Sequence, residues 1–266
     1  MDGCSGSLLP APPNMIILLS PAKTLDFTSP VAETPTPARF AREAASIARA
    51  AAKLKADELA SLMHISDKLA ELNVGRFKGF RKAEERPAIR AFAGDVYRGF
   101  DAASADEDVL AFAQDHLRIL SGLYGVLRPL DGIRPYRLEM GTRWAPAGGD
   151  RLVEHWGQKV ARAVLKDLKE DGSGLLVNLA SNEYFAVVQP FLPKKGVKLV
   201  IPDFRVRTAK GLQFQSFTAK VARGTMARWL CEERVADEGG LKRFDADGWA
   251  YDAEGSTDAK PLFIKG

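Results

Sequence analysis

Apolar residues recur at helical spacing in one segment early in the chain, residues 57–73, which read DELASLMHISDKLAELN. The recurring positions lie three or four residues apart, as on one face of an amphipathic helix, and are Leu59, Leu62, Ile65, Leu69 and Leu72. Residues 64–67 interrupt this pattern, and Ser66 or Asp67 is suited to cap a following helix through its side-chain oxygen. The pattern therefore predicts two short helices joined by a tight hairpin, with one apolar stripe along both.

The rest of the chain alternates between short apolar runs and longer amphipathic segments. The runs predict buried strands at residues 15–20, 175–179 and 199–201, a half-buried strand at 212–217, and a terminal hairpin pairing 249–251 with 262–264. The amphipathic segments predict helices at residues 39–55, 101–121, 152–168, 182–188 and 219–234. No repeat or linker divides the chain, so we predict an α/β (mixed α+β) fold in a single compact domain.

The composition is ordinary for a globular protein and narrows the class. A chain of 266 residues, 46% hydrophobic and 27% charged, can bury a sizeable core. Its longest purely apolar runs, such as residues 15–19, are too short to span a bilayer, so we expect no membrane partner. The two cysteines and three histidines have neither disulfide nor zinc spacing. We therefore predict no metal or cofactor, and a reducing, cytoplasmic location.

Residues 1–14 differ in composition from the rest of the chain. They are mostly small residues and prolines, without the basic start and apolar core of a signal peptide. We expect this N-terminal extension to be disordered and a folded domain to cover residues 15–266. A strand-like run begins at Met15, which makes Met15 a candidate for the biological start.

Positive charge is concentrated in two parts of the chain, although the net charge is only +4. Residues 194–228 hold nine lysines and arginines against one acidic residue, Asp203, a local net charge of +8. Residues 74–90 are also rich in arginine and lysine. A focused positive field attracts a polyanion, which favours a phosphate-bearing partner. The alternative is that acidic segments elsewhere neutralise these residues in the folded protein.

Several polar residues stand in motifs that are candidates for chemistry. The candidates for a catalytic site are Lys23, Asp26, Asp95, Tyr97, Arg137, Glu139 and Glu183. At a predicted strand end, Lys23 is placed to meet a phosphate or a carboxylate, and Asp26 is a possible ion-pair partner. Ser20 and Lys23 have the spacing of some acyl enzymes, but the further partners that those enzymes need are not recognisable.

Five arginines in the middle of the chain carry fork-shaped donors that suit phosphate: Arg118, Arg128, Arg134, Arg137 and Arg143. The alternative is structural, with Asp131 and Glu139 holding some of these arginines in place. Further on, Asn182 is predicted to cap a helix, and Glu183 lies where the positive end of that helix favours an acidic side chain. A role for Glu183 in an active site remains open.

The predicted hairpin resembles the helix-hairpin-helix module, which grips a nucleic-acid phosphate with hairpin amides and a helix N-terminus. The positions that match are Leu59, Leu62, Ile65, Lys68 and Ala70. The module's two hairpin glycines are replaced by His64 and Ser66, so two ordinary core helices are the alternative. Lys68 also has the offset of a glycosylase Schiff-base lysine. The aspartate that those enzymes need about twenty residues later is missing, because Pro87 and Ala88 stand there.

The motifs along the chain, taken together, resemble those of the YaaA family, bacterial proteins of the peroxide-stress response. The matching segments are LLSPAKTLDF, ISDKLA, GDVYRG, HLRILSGLYGVLRPLDGIRPYRLEMG, NLASNEYF and FTAKVARGTMARW. They cover nearly all of the chain from Met15 onward, in order. The resemblance implies a single compact α/β domain of unusual topology with a helix-hairpin-helix. It also implies duplex DNA binding and a role in limiting iron-driven oxidative damage.

Two hypotheses about function follow. The first is a DNA-binding protein that grips duplex phosphates with little sequence preference. Its predicted contacts are His64, Ser66, Lys68, Arg76, Lys78, Arg81, Lys220, Arg223 and Arg228. The second is an enzyme that acts on a nucleotide or nucleic-acid base in a polar cleft. Direct iron sequestration has little support, because soft ligands are few and unclustered. The sequence does not determine the oligomeric state, and a monomer is the simplest expectation.

Overall fold

The largest sheet is built around the first predicted strand. A computed structural model describes residues 15–266, so the prediction of disorder for residues 1–14 lies outside the described residues. The strands in chain order are β1 (Ile16–Leu19), β2 (Arg86–Pro87), β3 (Leu117–Ser121), β4 (Gly125–Leu127), β5 (Gly132–Ile133), β6 (Leu175–Asn178), β7 (Lys198–Val200), β8 (Asp203–Thr208), β9 (Gly211–Gln213), β10 (Trp249–Thr257) and β11 (Lys260–Lys265). The five-stranded sheet has the order β4-β3-β1-β6-β7, in which only β4 is antiparallel to its neighbour.

Side chains of a strand point alternately to the two faces of its sheet, and all four side chains of β1 are buried. Both faces of the central strand are therefore covered. Among the elements that contact β1 are two helices, α8 and α10. The helices in chain order are α1 (Ala41–Ala51), α2 (Ala56–Met63), α3 (Asp67–Gly79), α4 (Ala88–Ala91), α5 (Asp95–Phe100), α6 (Glu107–His116), α7 (Leu152–Trp156), α8 (Gln158–Asp171), α9 (Asn182–Phe185), α10 (Ser216–Glu232) and α11 (Glu238–Leu241).

A second sheet of four strands has the order β10-β11-β8-β9. The predicted terminal hairpin is confirmed, since β10 and β11 pair antiparallel, and β11 then pairs parallel with β8. Phe204, Phe244, Trp249 and Phe263 pack around one another between this sheet and its neighbours, with ring centroids 5.2–6.4 Å apart. Strands β2 and β5 form a separate antiparallel pair. The predicted mixed α/β single domain is confirmed, and no helix within residues 15–266 has the length and apolar character needed to cross a membrane.

Two of the predicted long helices are shorter than expected. The helix predicted for residues 101–121 is confirmed only over α6, because the chain from Leu117 onward becomes strand β3. The reason is tertiary: Leu117 and Ile119 lie in register with Ile17 and Leu19 of β1, and buried pairing outweighs local helical periodicity. The predicted helix at 152–168 is divided into α7 and α8 at Gly157, whose φ of 45° breaks the helix.

The predicted pair of helices in residues 57–73 exists as α2 and α3, joined by residues 64–66. His64 reaches the left-handed region, with φ 52°, although it is not glycine. The predicted apolar stripe is partly wrong, because Leu59 is buried whereas Leu72 is 50% exposed. Helix α3 buries Ala70, Asn73 and Phe77 instead. Ser66 occupies the N-cap position as predicted, but its hydroxyl makes no hydrogen bond to the first turn.

The half-buried strand predicted at residues 212–217 is wrong in both extent and burial. Strand β9 ends at Gln213, its three residues are exposed, and α10 begins at Ser216. β9 lies at the edge of its sheet with β8 as its sole neighbour there. Apolar alternation indicates a strand but does not supply a layer to cover it, so Phe214 and Phe217 remain exposed.

Helices α5 and α10 cross at two glycines that allow their backbones to touch. A Cβ atom at Gly224 would lie 1.8 Å from the carbonyl oxygen of Val96, and one at Gly99 would lie 2.1 Å from that of Val221. No side chain fits in either place. This close crossing brings the first turn of α5 beside the first turns of α10.

Candidate functional site

The candidate site lies where the chain leaves β1 and β6. These two strands are parallel neighbours, so their carboxyl ends lie at the same edge of the sheet. The chain goes from β1 towards β3 on one side, and from β6 to β7 on the other. In open α/β sheets the crevice between two strands whose connections diverge in this way is the usual place for a ligand.

Hydrogen bonds join the loop that follows β1 to the loop that follows β6, at the base of this crevice. The amide of Ser181 donates to Ser20 Oγ at 2.9 Å, and the hydroxyls of these serines lie 3.4 Å apart. The hydroxyl of Tyr97 donates to the carbonyl oxygen of Ser20 at 3.0 Å. Burial raises the pKa of the Tyr97 phenol well above its usual range, so the phenol stays neutral. Tyr97, a predicted catalytic candidate, therefore helps to fix the position of the loop that follows β1. Ser181, rather than the predicted Asn182, is the N-cap of α9.

Glu139 contacts two basic side chains that were predicted as catalytic candidates, Lys23 and Arg137. Its carboxylate lies 2.8 Å from Lys23 Nζ and 3.2 Å from Arg137 Nη2, on different oxygens. The pairing of Lys23 with Asp26 that the sequence suggested is wrong. Asp26 instead accepts hydrogen bonds from Ser29 and Thr28, which lower the pKa of its carboxyl. The Nε atom of Arg137 is buried without a hydrogen-bond partner in the described structure.

A cavity of about 620 Å³ opens over these loops. Its charged lining residues are Lys23, Arg98, Lys220, Arg223, Asp95 and Glu183, four cations and two acids, so the cavity is basic. The structure thus brings three of the predicted catalytic candidates together with two residues that were predicted to contact DNA. Arg98 was missed by sequence reasoning. The sequence feature that could have identified Arg98 is its position three residues after Asp95, which places both side chains on one face of α5. In the structure the two side chains lie 3.9 Å apart.

A second cavity, of about 730 Å³, lies between the site and the helical hairpin. The end of α2, residues 61–64, forms one side, and Glu139, Arg143 and Glu183 lie in its lining. Glu183 lines both cavities, and its Oε1 accepts a hydrogen bond from the amide of Gly141 at 3.1 Å. The hairpin that was predicted to bind phosphate is therefore a neighbour of the crevice.

The predicted DNA contacts of the hairpin fall into two groups. Lys68, Lys78 and Arg81 are exposed, and within the described chain none of them has a carboxylate partner. Arg76 is half-buried; burial, with the nearby charge of Arg137, lowers the pKa of its guanidinium. The amides of His64 and Ile65 are not available to a phosphate, because both donate to the carbonyl oxygen of Ala60.

The basic segment at residues 194–228 is partly neutralised inside the protein. Arg228 donates to Glu232 at 2.7 Å and to the carbonyl oxygen of Asp101 at 2.8 Å, and it is largely buried. This does not support its predicted role as a DNA contact. Arg205 pairs with Asp203 at 2.9 Å, and Lys198 pairs with Glu238.

The same holds for most of the five central arginines. Arg118 pairs with the buried Asp167 at 2.6 Å, Arg128 with Asp131 at 3.4 Å, and Arg134 with Glu85 at 2.8 Å. These arginines follow the structural alternative. Arg143 is exposed in the second cavity. In residues 15–266 no three His, Cys, Asp or Glu side chains converge in a way that would hold a metal ion.

The fold and the crevice define a mixed α/β protein with a basic polar site at a topological switch point, beside a helical hairpin. The chain belongs to the peroxide stress protein YaaA family, whose model matches residues 15–255. It is 57% identical over 252 residues to a UPF0246 protein of Rhizorhabdus wittichii, covering 94% of this chain and 99% of the relative. A UPF0246 protein of Cupriavidus metallidurans is 48% identical over 257 residues, covering 94% and 98%. One of Shewanella woodyi is 45% identical over 254 residues, with the same coverage.

Proposed function

We propose that this protein binds duplex DNA through the α2–α3 hairpin, with little sequence preference, as part of a peroxide-stress response. The observation that carries the proposal is the set of exposed cations on and just after α3: Lys68, Lys78 and Arg81. They have no carboxylate partner in the part of the chain described, so their charge is available to phosphates. Contacts of this kind position a protein on DNA without reading its sequence.

The hairpin has the dimensions for this contact. Lys68 and Lys78 are ten residues apart on one helix, which is about 15 Å along the axis. That is the length of about four to five base pairs of B-DNA. At the start of α3 the amides of residues 66–68 have no partner among the described residues, and a helix N-terminus favours an anion.

Phosphate contacts offer a physical route to limiting iron-driven damage. Divalent iron associates with DNA as a counterion, and each phosphate that a protein neutralises releases condensed counterions. A protein that covers the backbone would therefore reduce the iron held where peroxide reacts with DNA. Protection measured as plasmid nicking by iron and peroxide should follow DNA affinity across variants of the hairpin.

The test is a titration of a short blunt duplex at several salt concentrations. Changing Lys68 and Lys78 together to alanine should reduce the slope of log affinity against log salt by about 0.9 for each phosphate that the variant no longer neutralises. Lys166→Ala is the matched control, because Lys166 is an exposed lysine of α8 paired with Glu170 at 3.5 Å. An unchanged slope in the double variant, with the control equally unchanged, removes the hairpin from the proposal.

A second candidate function is catalysis on a nucleotide or a nucleic-acid base. Its support is the meeting of Lys23, Asp95 and Glu183 in one basic cavity at the switch point, with Glu139 bridging Lys23 and Arg137. Phosphate binding alone needs no such acidic groups. Mass-spectrometric profiling of nucleotides and damaged duplexes incubated with the protein tests it. Turnover should be lost in Glu183→Gln, and a profile without any turnover would reject this candidate.

A further inference from the structure

Two phenylalanines are exposed at the junction between β9 and α10. Phe214 is 51% and Phe217 55% exposed, and Leu212 beside them is 42% exposed. In the described chain, Leu72 is the only other large hydrophobic residue with comparable exposure. Leaving aromatic surface in water forgoes the free energy of burying it. Clustered exposure of this kind marks a surface that meets a ligand or a partner.

Each ring is accompanied by a guanidinium group. The Cζ atom of Arg98 lies 5.5 Å from the centroid of the Phe217 ring, and that of Arg205 lies 5.6 Å from the centroid of the Phe214 ring. At this distance the positive charge is attracted to the ring's π-electrons. Each ring therefore has a cationic contact while about half of its surface remains open to solvent.

The rings are continuous with the basic cavity at the switch point. Phe217 is in the first turn of α10, and Lys220 and Arg223 follow at steps of three on the same helix. Both of these cations line the cavity, and so does Arg98, which contacts the Phe217 ring. Arg207 and Lys210, near the rings in β8 and the following turn, are exposed and have no carboxylate partner within residues 15–266.

We propose that Phe214 and Phe217 form a stacking platform for unpaired bases of DNA, at the mouth of the basic cavity. The proposal rests on the DNA binding proposed above and adds a second, single-strand contact to it. Flat apolar rings with the cations Arg207, Lys210 and Lys220 nearby, all unpaired in the described part of the chain, match a ligand that is flat and apolar in its bases and anionic in its backbone. Such alternation of aromatic and basic groups is how single strands are bound without sequence preference. Arg207, Lys210 and Lys220 meet the phosphates on either side of the stacked bases.

The experiment is fluorescence titration of a short single-stranded oligonucleotide that carries 2-aminopurine, together with a blunt duplex. Stacking should quench the 2-aminopurine when the wild-type protein binds. Changing both rings to leucine keeps the apolar surface but removes the π-face, and should weaken single-strand binding about tenfold for each ring and abolish the quenching. Changing both to tryptophan should preserve binding and quenching. Duplex affinity should change in none of these variants.

The controls keep the result interpretable. Lys166→Ala changes an exposed side chain of α8, outside both the platform and the hairpin, and should leave single-strand binding unchanged. Both phenylalanines are exposed, so the variants should melt at the wild-type temperature by circular dichroism. Full affinity in the leucine variants overturns the platform, because apolar area alone then suffices.

The outcomes separate this inference from the DNA-binding proposal. If the wild-type protein binds the duplex but not the single strand, the platform is rejected and duplex binding stands. If it binds neither, both are rejected. Sedimentation that shows self-association abolished in the leucine variants, with DNA affinity unaltered, would assign the rings to a protein interface and overturn the inference.

Discussion

The helical hairpin and the crevice at the ends of β1 and β6 use positive charge in different ways. On the hairpin, Lys68 and Lys78 are exposed, and the described structure gives them no carboxylate partner. In the crevice, Lys23 contacts Glu139 at 2.8 Å, and Arg98 lies 3.9 Å from Asp95. Free surface cations attract a polyanion with strong salt dependence, whereas paired cations set the shape and local field of a site. A count of basic residues therefore does not tell which region meets DNA.

The two regions also differ in how tightly they are packed. The wall of the crevice depends on the contact of α5 with α10 at Gly224, where no Cβ fits. On the hairpin, no atom of the described chain outside the adjacent backbone of α3 lies within 4 Å of the place that a Cβ of Gly75 would take. The crevice is thus a product of close tertiary packing, and the outer face of the hairpin is open.

The largest expected effect on stability comes from adding a methyl group at the crossing of α5 and α10, compared with the same addition on the hairpin. Gly224→Ala should lower the free energy of unfolding by about 3 kcal/mol or more, because the new Cβ would overlap the Val96 carbonyl oxygen and force the helices apart. Gly75→Ala, the matched control, should raise it by about 0.5–1 kcal/mol through helix propensity. Urea unfolding followed by circular dichroism measures both. Equal stabilities would show that the crossing tolerates separation and would break this part of the comparison.

A somewhat smaller effect is expected from a buried carboxylate on α8. Asp167 accepts from Arg39 and Arg118, each at 2.6 Å. Asp167→Asn should cost about 2 kcal/mol, less than the roughly 3–5 kcal/mol of a fully buried pair, because Arg39 remains partly exposed. Glu170→Gln, which breaks the exposed pair with Lys166 on the same helix, should change stability by less than about 0.5 kcal/mol.

The role of Asp167 can also be tested through the pH dependence of stability. Burial opposes ionisation of Asp167, but the two arginines outweigh it and lower the pKa of the carboxyl. A lowered folded-state pKa contributes stability above the unfolded value of about 3.9, and that contribution is lost as pH falls through the folded value. Acid unfolding of Asp167→Asn should therefore depend less on pH below about pH 4 than that of the wild type. Parallel acid-unfolding curves would contradict it.

The smallest expected effect tests the charge pairing in the crevice itself. Glu139→Gln should lower stability by about 1 kcal/mol, because Arg137 loses a charged acceptor. It also leaves Lys23 unpaired, so duplex binding should become more steeply salt-dependent if the crevice reaches the backbone. Glu170→Gln removes the same charge from α8 and serves as the control. A slope identical to the wild type would confine phosphate contacts to the hairpin and sharpen the difference between the two regions.

The local pattern of apolar and polar residues correctly predicted elements whose side chains contact near neighbours in the chain. The strand at β1, the hairpin of α2 and α3, and the terminal pair of β10 and β11 all follow from periodicity and breakers. It failed at Leu117–Ser121, where pairing with a strand about a hundred residues earlier decides the conformation. It failed again at residues 212–217, since alternation cannot report whether another layer covers the strand.

The fold class, the family motifs and the list of polar residues from which a site could be built all follow from the amino-acid sequence. The tertiary structure was needed to show that Glu139 pairs with Lys23, that Asp26 accepts from Thr28 instead, and that Lys220 and Arg223 line the same cavity as Glu183. It also decided which cations stay free and that Phe214 and Phe217 face solvent. The physical reason is that charge pairing and exposure depend on distances between side chains remote in the chain, and local spacing carries no information about these distances.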